Sequence, residues 1–346
     1  MRTGTLRGLT RRGLKSPRMR RGLLLLLVAI GVSIGAPVFF AGAGVFSRLS
    51  SVPVWVLGGA PALMLAAWFA NAVRVAILTH ANGCRLTPGY AWLVAAGGDF
   101  GASLGPGGIT GVAAYVFLLA RTGLGSATAT ALYALEKLLD QIIFAAALAA
   151  SAVVLALIAD RGHPWGLFGI GFAVCTGLFI VIVAMLFQYR RMVRMIVWTA
   201  ARLRVKSGLR RRFIRWCMTF QQSLVRVTRM PRRRIAMLML AAAAYWAARF
   251  AILPLIALGI GSPVPWGYLL AVQILTMFAG QLSILPGGTL TVEAVFAALL
   301  LPWMDRPTLG LMLLLWRGGV FYFTLVAGGA AFFAAAARKR ENITVG

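Results

Sequence analysis

Apolar residues along this chain do not alternate with polar ones; they run. Stretches close to or above twenty residues recur at 22–40, 54–78, 126–159, 165–187, 235–258 and 308–337. A helix needs about twenty such residues to cross a hydrocarbon layer ~30 Å thick, so each stretch predicts a spanning helix. Two further apolar stretches are as long but broken, one by Gly105-Pro106-Gly107-Gly108 and the other by Leu285-Pro286-Gly287-Gly288, 180 residues later. Pro and Gly interrupt helical hydrogen bonding, and inside a bilayer the freed backbone groups survive only where protein or water shields them from lipid. Neither half of the first stretch is long enough to span. Each stretch is therefore predicted to be a re-entrant hairpin with Pro-Gly-Gly at its tip, the first at 90–120 and the second at 266–301.

The expected fold is an all-α polytopic membrane protein with about six spanning helices and two hairpins. A share of 60% hydrophobic against 12% charged residues excludes a soluble domain. The net charge of +28 is concentrated in residues 1–21, with eight basic residues, and in 188–234, where 15 Lys or Arg occur from Arg190 to Arg234. Basic blocks beside apolar spans mark the cytoplasmic side and attract anionic headgroups. Threading the chain accordingly puts 1–21, 188–234 and 338–346 in the cytoplasm, with membrane halves at 22–187 and 235–337. Both termini are then cytoplasmic and the location is the plasma (inner) membrane. An uncleaved first helix is the reading taken for 22–40, with a signal peptide as the alternative. Aromatic and aliphatic residues such as Trp198, Phe213, Trp216 and Phe220 interleave with the arginines, as in an amphipathic helix lying on the membrane. Nucleic-acid binding is the rival reading of that charge and is not adopted.

Under this threading, the unit of helix 54–78, inner hairpin and helix 126–159 repeats, in the opposite direction, as helix 235–258, outer hairpin and helix 308–337. Ala66-Ala67-Trp68-Phe69 before Arg74 resembles Ala243-Ala244-Tyr245-Trp246 before Arg249. Inverted repeats of this kind place a site near the midplane, reachable alternately from each side. The competing explanation is that such words recur by chance in a chain rich in Gly and Ala.

Seven charges fall within apolar stretches: Arg74, Asp99, Glu136, Asp140, Arg249, Glu293 and Arg317. Each costs about 2.5–3.5 kcal/mol at a helix centre, so such groups pair, face the protein interior or line a hydrated path. Glu136 and Asp140, one turn apart with Lys137 beside them, share a helix face. They are expected to bind a proton or cation, or to hold Arg74 or Arg249. As an acid-base dyad they lack a nucleophile, so no enzymatic role is assigned. Glu293 begins a half-helix, where the dipole favours a carboxylate. Either that end simply stabilises it, or it orients Arg317 or Arg249 toward a lipid phosphate cradled by the exposed N–H groups. Asp99 lies among small residues that allow either close packing or room for a substrate. The candidate substrate-binding set is these seven with Pro106, Gly107, Gly108, Pro286, Gly287 and Gly288. Cys84, Cys175 and Cys217 form no CxxC pair, and with only His80 and His163 besides, neither a metal nor a cofactor is expected.

At Asn71-x-x-Arg74, the glycine-rich break 99–111, Arg121-Thr122-Gly123, Glu136-x-x-x-Asp140, Pro286-Gly287-Gly288 with Glu293, and Arg317-Gly318-Gly319, the chain resembles the flippase-like membrane domain of lysylphosphatidylglycerol synthases. Stand-alone relatives, including hopanoid-biosynthesis-associated membrane proteins, share that domain. The likeness covers about 20–338. Many relatives carry an acid or arginine where this chain has Gly111-Val112-Ala113-Ala114, and nine residues after Ala337 leave no room for a soluble aminoacyl-transferase domain. The resemblance implies lipid translocation or handling, with phospholipid, polyprenyl-linked lipid and hopanoid all open as substrates. The expected partners are anionic or phosphate-bearing membrane lipids. A lipid-modifying enzyme, for which the chain would serve as a non-transporting scaffold, and a second copy of the chain stay open.

Overall fold

The computed structural model describes residues 48–105, 109–158, 207–283 and 285–338, with isolated helical positions between 31 and 202. Most of each expected helix at 22–40 and 165–187 lies outside the described residues. Helix α1 (Val54–Ala81) is followed by a short pair, α2 (Pro88–Ser103) and α3 (Ile109–Ala120), and by the long α4 (Ser126–Ile158). The basic α5 (Ser207–Thr228) leads into α6 (Arg232–Phe250) and α7 (Ile252–Gly259). A second short pair, α8 (Trp266–Leu282) and α9 (Thr291–Leu300), precedes α10 (Arg306–Arg317) and α11 (Gly329–Ala337), which are joined by two π-helical turns. No strand occurs among the described residues.

Among those residues, three continuous helical runs are long and apolar enough to cross a membrane: Val54–Ala81, Arg232–Gly259 and Arg306–Ala337. The second starts earlier than its apolar pattern predicts. Pro231, with extended backbone, sets the start, and the exposed Arg232, Arg233 and Arg234 take helical backbone without needing burial. The halves of the broken stretches are 16, 12, 17 and 10 residues long, short of a full crossing at about 1.5 Å per residue.

Two cores at opposite ends fix the directions. Val52 and Val56 at the start of α1 pack with Ile256, Tyr268, Leu300 and Leu309. Leu78 at the end of α1 packs with Leu86, Tyr90, Leu118, Leu238 and Ala335. Helix α1 therefore runs antiparallel to α6–α7. The α2–α3 hairpin opens at the Leu78 end and the α8–α9 hairpin at the Val52 end, so their tips approach from opposite ends of the bundle. A third core, with Ala67, Phe144, Trp246, Ile274 and Phe278, lies between.

Local details of the two halves also correspond. Helix α1 ends in a Schellman cap on Gly83 (φ +81°), with Cys84 N bonded to Thr79 O at 3.0 Å. Helix α7 ends in the same cap on Gly261 (φ +66°), with Ser262 N bonded to Ala257 O at 2.9 Å. Only glycine takes this conformation without Cβ strain. One residue into each hairpin a Gly-Tyr word recurs, Gly89-Tyr90 and Gly267-Tyr268. The Tyr90 hydroxyl donates to Leu118 O at 2.9 Å, and that of Tyr268 to Leu299 O at 2.6 Å, each tying the two limbs of its hairpin together. Both rings are fully buried. Tyr90→Phe and Tyr268→Phe should each lower stability by about 1 kcal/mol, read as comparable losses in detergent melting. A loss confined to one of them would show that the two ties are not equivalent.

Helix α5 packs on α4. Phe220 packs with Ala127 and Ala131 of α4, and the Ser223 hydroxyl donates to that of Thr128 at 3.1 Å. Protein thus covers part of its apolar face, while Leu209, Met218 and Val225 stay exposed. Cys84 and Cys217 are buried within these packed regions, and Cys175 lies outside the described residues.

Candidate functional site

Where the hairpins converge there is a cavity of about 240 Å³. Its walls are Asp99, Ser103 and Gly105 near the first tip, Gly280, Gly287 and Gly288 at the second, and side chains of α4, α6 and the α10–α11 junction. The tip glycines Gly287 and Gly288 have φ of +64° and +70°, and Leu290 is the one described non-glycine residue with positive φ. The turn that ends the broken half-helix is thus built from backbone that few side chains tolerate. Beyond Arg317, the π-helical turns Gly318–Tyr322 and Thr324–Gly328 present Val320, Phe321 and Thr324 to the cavity. Such widened turns are frequent at functional sites.

Four carboxylates, three of them ion-paired, organise the charge. Asp99 lies in the last turn of α2, the end where the helix dipole disfavours an anion. It receives hydrogen bonds from Trp68 Nε1 at 3.0 Å, the Tyr245 hydroxyl at 3.1 Å and Arg249 Nη1 at 2.9 Å. Arg249 also donates to the Tyr245 hydroxyl at 2.7 Å, and its own backbone carbonyl accepts from the Gln273 amide at 2.8 Å. Asp140 is paired with Arg74 at 2.9 Å and Lys137 at 2.8 Å, and accepts from Trp246 Nε1 at 2.8 Å. Glu293, in the first turn of α9 where the dipole favours it, pairs with Arg317 at 2.6 Å. Arg317 Nη1 donates to Gly287 O at 2.9 Å, anchoring the second tip. Glu136 accepts from the Tyr115 hydroxyl at 2.7 Å.

Of the positions picked from the sequence, Asp99, Asp140, Arg249, Gly287, Gly288 and Arg317 line the cavity. Arg74 and Glu136 stand behind it around a void of about 20 Å³, and Arg74 Nη2 also donates to Glu136 O at 3.0 Å. Glu293 backs Arg317 rather than lining the space, and Pro286 opens the turn. Pro106, Gly107 and Gly108 lie outside the described residues. Between the alternatives left by the sequence, Asp140 holds Arg74 rather than Arg249, the Glu136 carboxylate takes the Tyr115 hydroxyl instead, and Glu293 holds Arg317. The small residues around Asp99 serve both close packing and open space: a Cβ on Gly97 would lie 3.0 Å from Leu118 and one on Gly111 2.9 Å from Ala102, whereas Ala102, Ser103 and Gly105 line the cavity.

The sequence list missed Lys137, Tyr245, Trp246 and Trp316, all of which line the cavity. Lys137 stands three residues before Asp140, a spacing that signals a pair on one helix face. The Ala-aromatic words held the other signal, because Trp68, Tyr245 and Trp246 are the donors that hold Asp99 and Asp140. Lys137, Arg249 and Arg317 against Asp99 and Asp140 give the lining one excess positive charge. In addition, Arg249 Nε, Arg317 Nε and Trp316 Nε1 have no hydrogen-bond acceptor. Three cations and spare N–H donors around a half-enclosed space suit an anion with several acceptor oxygens.

No curated protein matches the chain. Residues 26–328 match the model described as the lysylphosphatidylglycerol synthase TM region, and this membrane protein belongs to that family.

Proposed function

We propose that this protein moves an amphipathic, phosphate-bearing lipid between the leaflets of a bacterial-type inner membrane, holding the headgroup in the cavity between the hairpin tips. The observation that carries this reading is a cavity lined by three cations, Lys137, Arg249 and Arg317, placed where two hairpins opening at opposite ends of the bundle meet. A site at that point can be reached alternately from each side. Arg249 and Arg317 meet the headgroup with the backbone of the tips, Asp99 and Asp140 set the cations, and Arg74, Glu136 and Glu293 support them from behind. Phospholipid, polyprenyl-linked lipid and hopanoid with a phosphate-bearing head fit the same scheme. The protein acts as a carrier, without a chemical step, and the basic segments keep both termini cytoplasmic.

Liposomes containing the protein and fluorescent phosphatidylglycerol, with the outer leaflet bleached by dithionite, test this reading. The wild-type protein should speed exchange above that of protein-free vesicles. Arg249→Gln should lower the rate at least about tenfold while the protein still folds, because Asp99 keeps Trp68 and Tyr245. A wild-type rate equal to that of empty vesicles would overturn transport and favour the scaffold reading, in which hairpin charges are dispensable for partner binding.

A further inference from the structure

Lys137 differs from every other cation of the cluster in its access. Its side chain is 46% accessible, whereas Arg74 is 1%, Arg317 4% and Arg249 14% accessible. Lys137 also lines the cavity. Its carboxylate partner does not depend on it: Asp140 keeps the charge of Arg74 at 2.9 Å and the Trp246 indole N–H at 2.8 Å. Removing Lys137 from Asp140 therefore leaves no unpaired buried charge, the outcome that makes loss of a buried partner costly.

We infer that Lys137 is an exchangeable headgroup ligand, parked on Asp140 when the site is empty and transferred to the lipid phosphate when the site fills. This rests on the proposed lipid site and names a residue that does its binding. A compact ammonium on a flexible four-carbon stem suits such a move, whereas the planar forks of Arg74 and Arg317 suit fixed tethering. The remaining walls present Trp316, Arg249 and Arg317. Asp99 has the same construction, since Trp68 and Tyr245 stay bonded to it if Arg249 turns toward a ligand.

The test uses the full-length protein in detergent with short-chain phosphatidylglycerol, binding being followed by tryptophan fluorescence because Trp246 and Trp316 line the cavity. Lys137→Gln should weaken binding at least about tenfold with its melting temperature unchanged, and Lys137→Arg should restore most of the affinity. A lysine serving only to brace Asp140 predicts the reverse, a lowered melting temperature with unchanged binding, and that result overturns the inference. If wild type binds the lipid and Lys137→Gln does not, yet wild type fails to move it in liposomes, transport falls and the ligand assignment stands. If wild type binds no phosphatidylglycerol, both fall.

Discussion

Arg317→Gln should abolish lipid movement and lower stability by about 3–5 kcal/mol, the usual cost of removing one partner of a buried ion pair. Arg317 and Glu293 have side chains only 4% and 2% accessible, and the arginine also holds the Gly287 carbonyl at 2.9 Å. Phe321, one turn further on, packs against Gly287 and lies 5.2 Å from the guanidinium. One side chain thus fixes the depth of the second tip and faces the cavity. Stability and transport separate in a double variant. Arg317→Leu with Glu293→Leu removes both charges, so most of the lost stability should return, yet the tether to Gly287 remains absent and exchange of fluorescent phosphatidylglycerol should stay at least about 100-fold below wild type. Recovery of exchange together with stability would show that the tip needs only a neutral, packed neighbour.

For Arg74→Leu, the expected result is a protein that melts much earlier in detergent, with a loss again near 3–5 kcal/mol. Arg74 is 1% accessible and reaches from α1 to the Asp140 carboxylate and the Glu136 carbonyl of α4, with its guanidinium 5.4 Å from the Tyr245 ring of α6. Leucine would leave Asp140 and the buried Glu136 facing Lys137 alone, and that lysine is partly screened because it opens into the cavity. Lys137 would then be held on Asp140, so the folded fraction should also bind short-chain phosphatidylglycerol less tightly. Normal melting with normal binding in Arg74→Leu would show that α1 is positioned by apolar packing alone.

Much of this arrangement is local and so legible in one dimension. A Pro-Gly-Gly run breaks a helix where a lone proline such as Pro61 of α1 does not, which is why two breaks 180 residues apart announce the hairpins. A charge within an apolar run must find a partner, and that identifies Arg74, Asp99, Glu136, Asp140, Arg249, Glu293 and Arg317 as a set. Their pairing was less legible. Glu136 and Asp140 share a helix face, so periodicity gives them equal claim to Arg74, whereas in the fold Asp140 takes the ion pair and Glu136 takes Tyr115. Lys137 escaped because a lysine next to acids on a helix reads as a solvated neighbour until the packed helices show that it opens into a cavity. The repeat was visible in its Pro-Gly-Gly tips, but the matching Schellman caps and the Tyr90 and Tyr268 ties needed backbone geometry, since a Gly-Tyr dipeptide alone carries no information about a carbonyl some thirty residues away.

From the amino-acid order alone come the membrane-spanning runs, the two interrupted hairpins and the presence of charges that hydrocarbon will not tolerate unpaired. Hydropathy and helix-breaking act over one or a few turns, so they can be read along the chain. Only the tertiary structure decides that Asp99 meets Arg249 across 150 residues, that α6 runs back along α1, and that a lysine opens into the space between the tips. Those outcomes depend on which helices pack together and in which direction, and packing selects among contacts that a local pattern leaves equivalent.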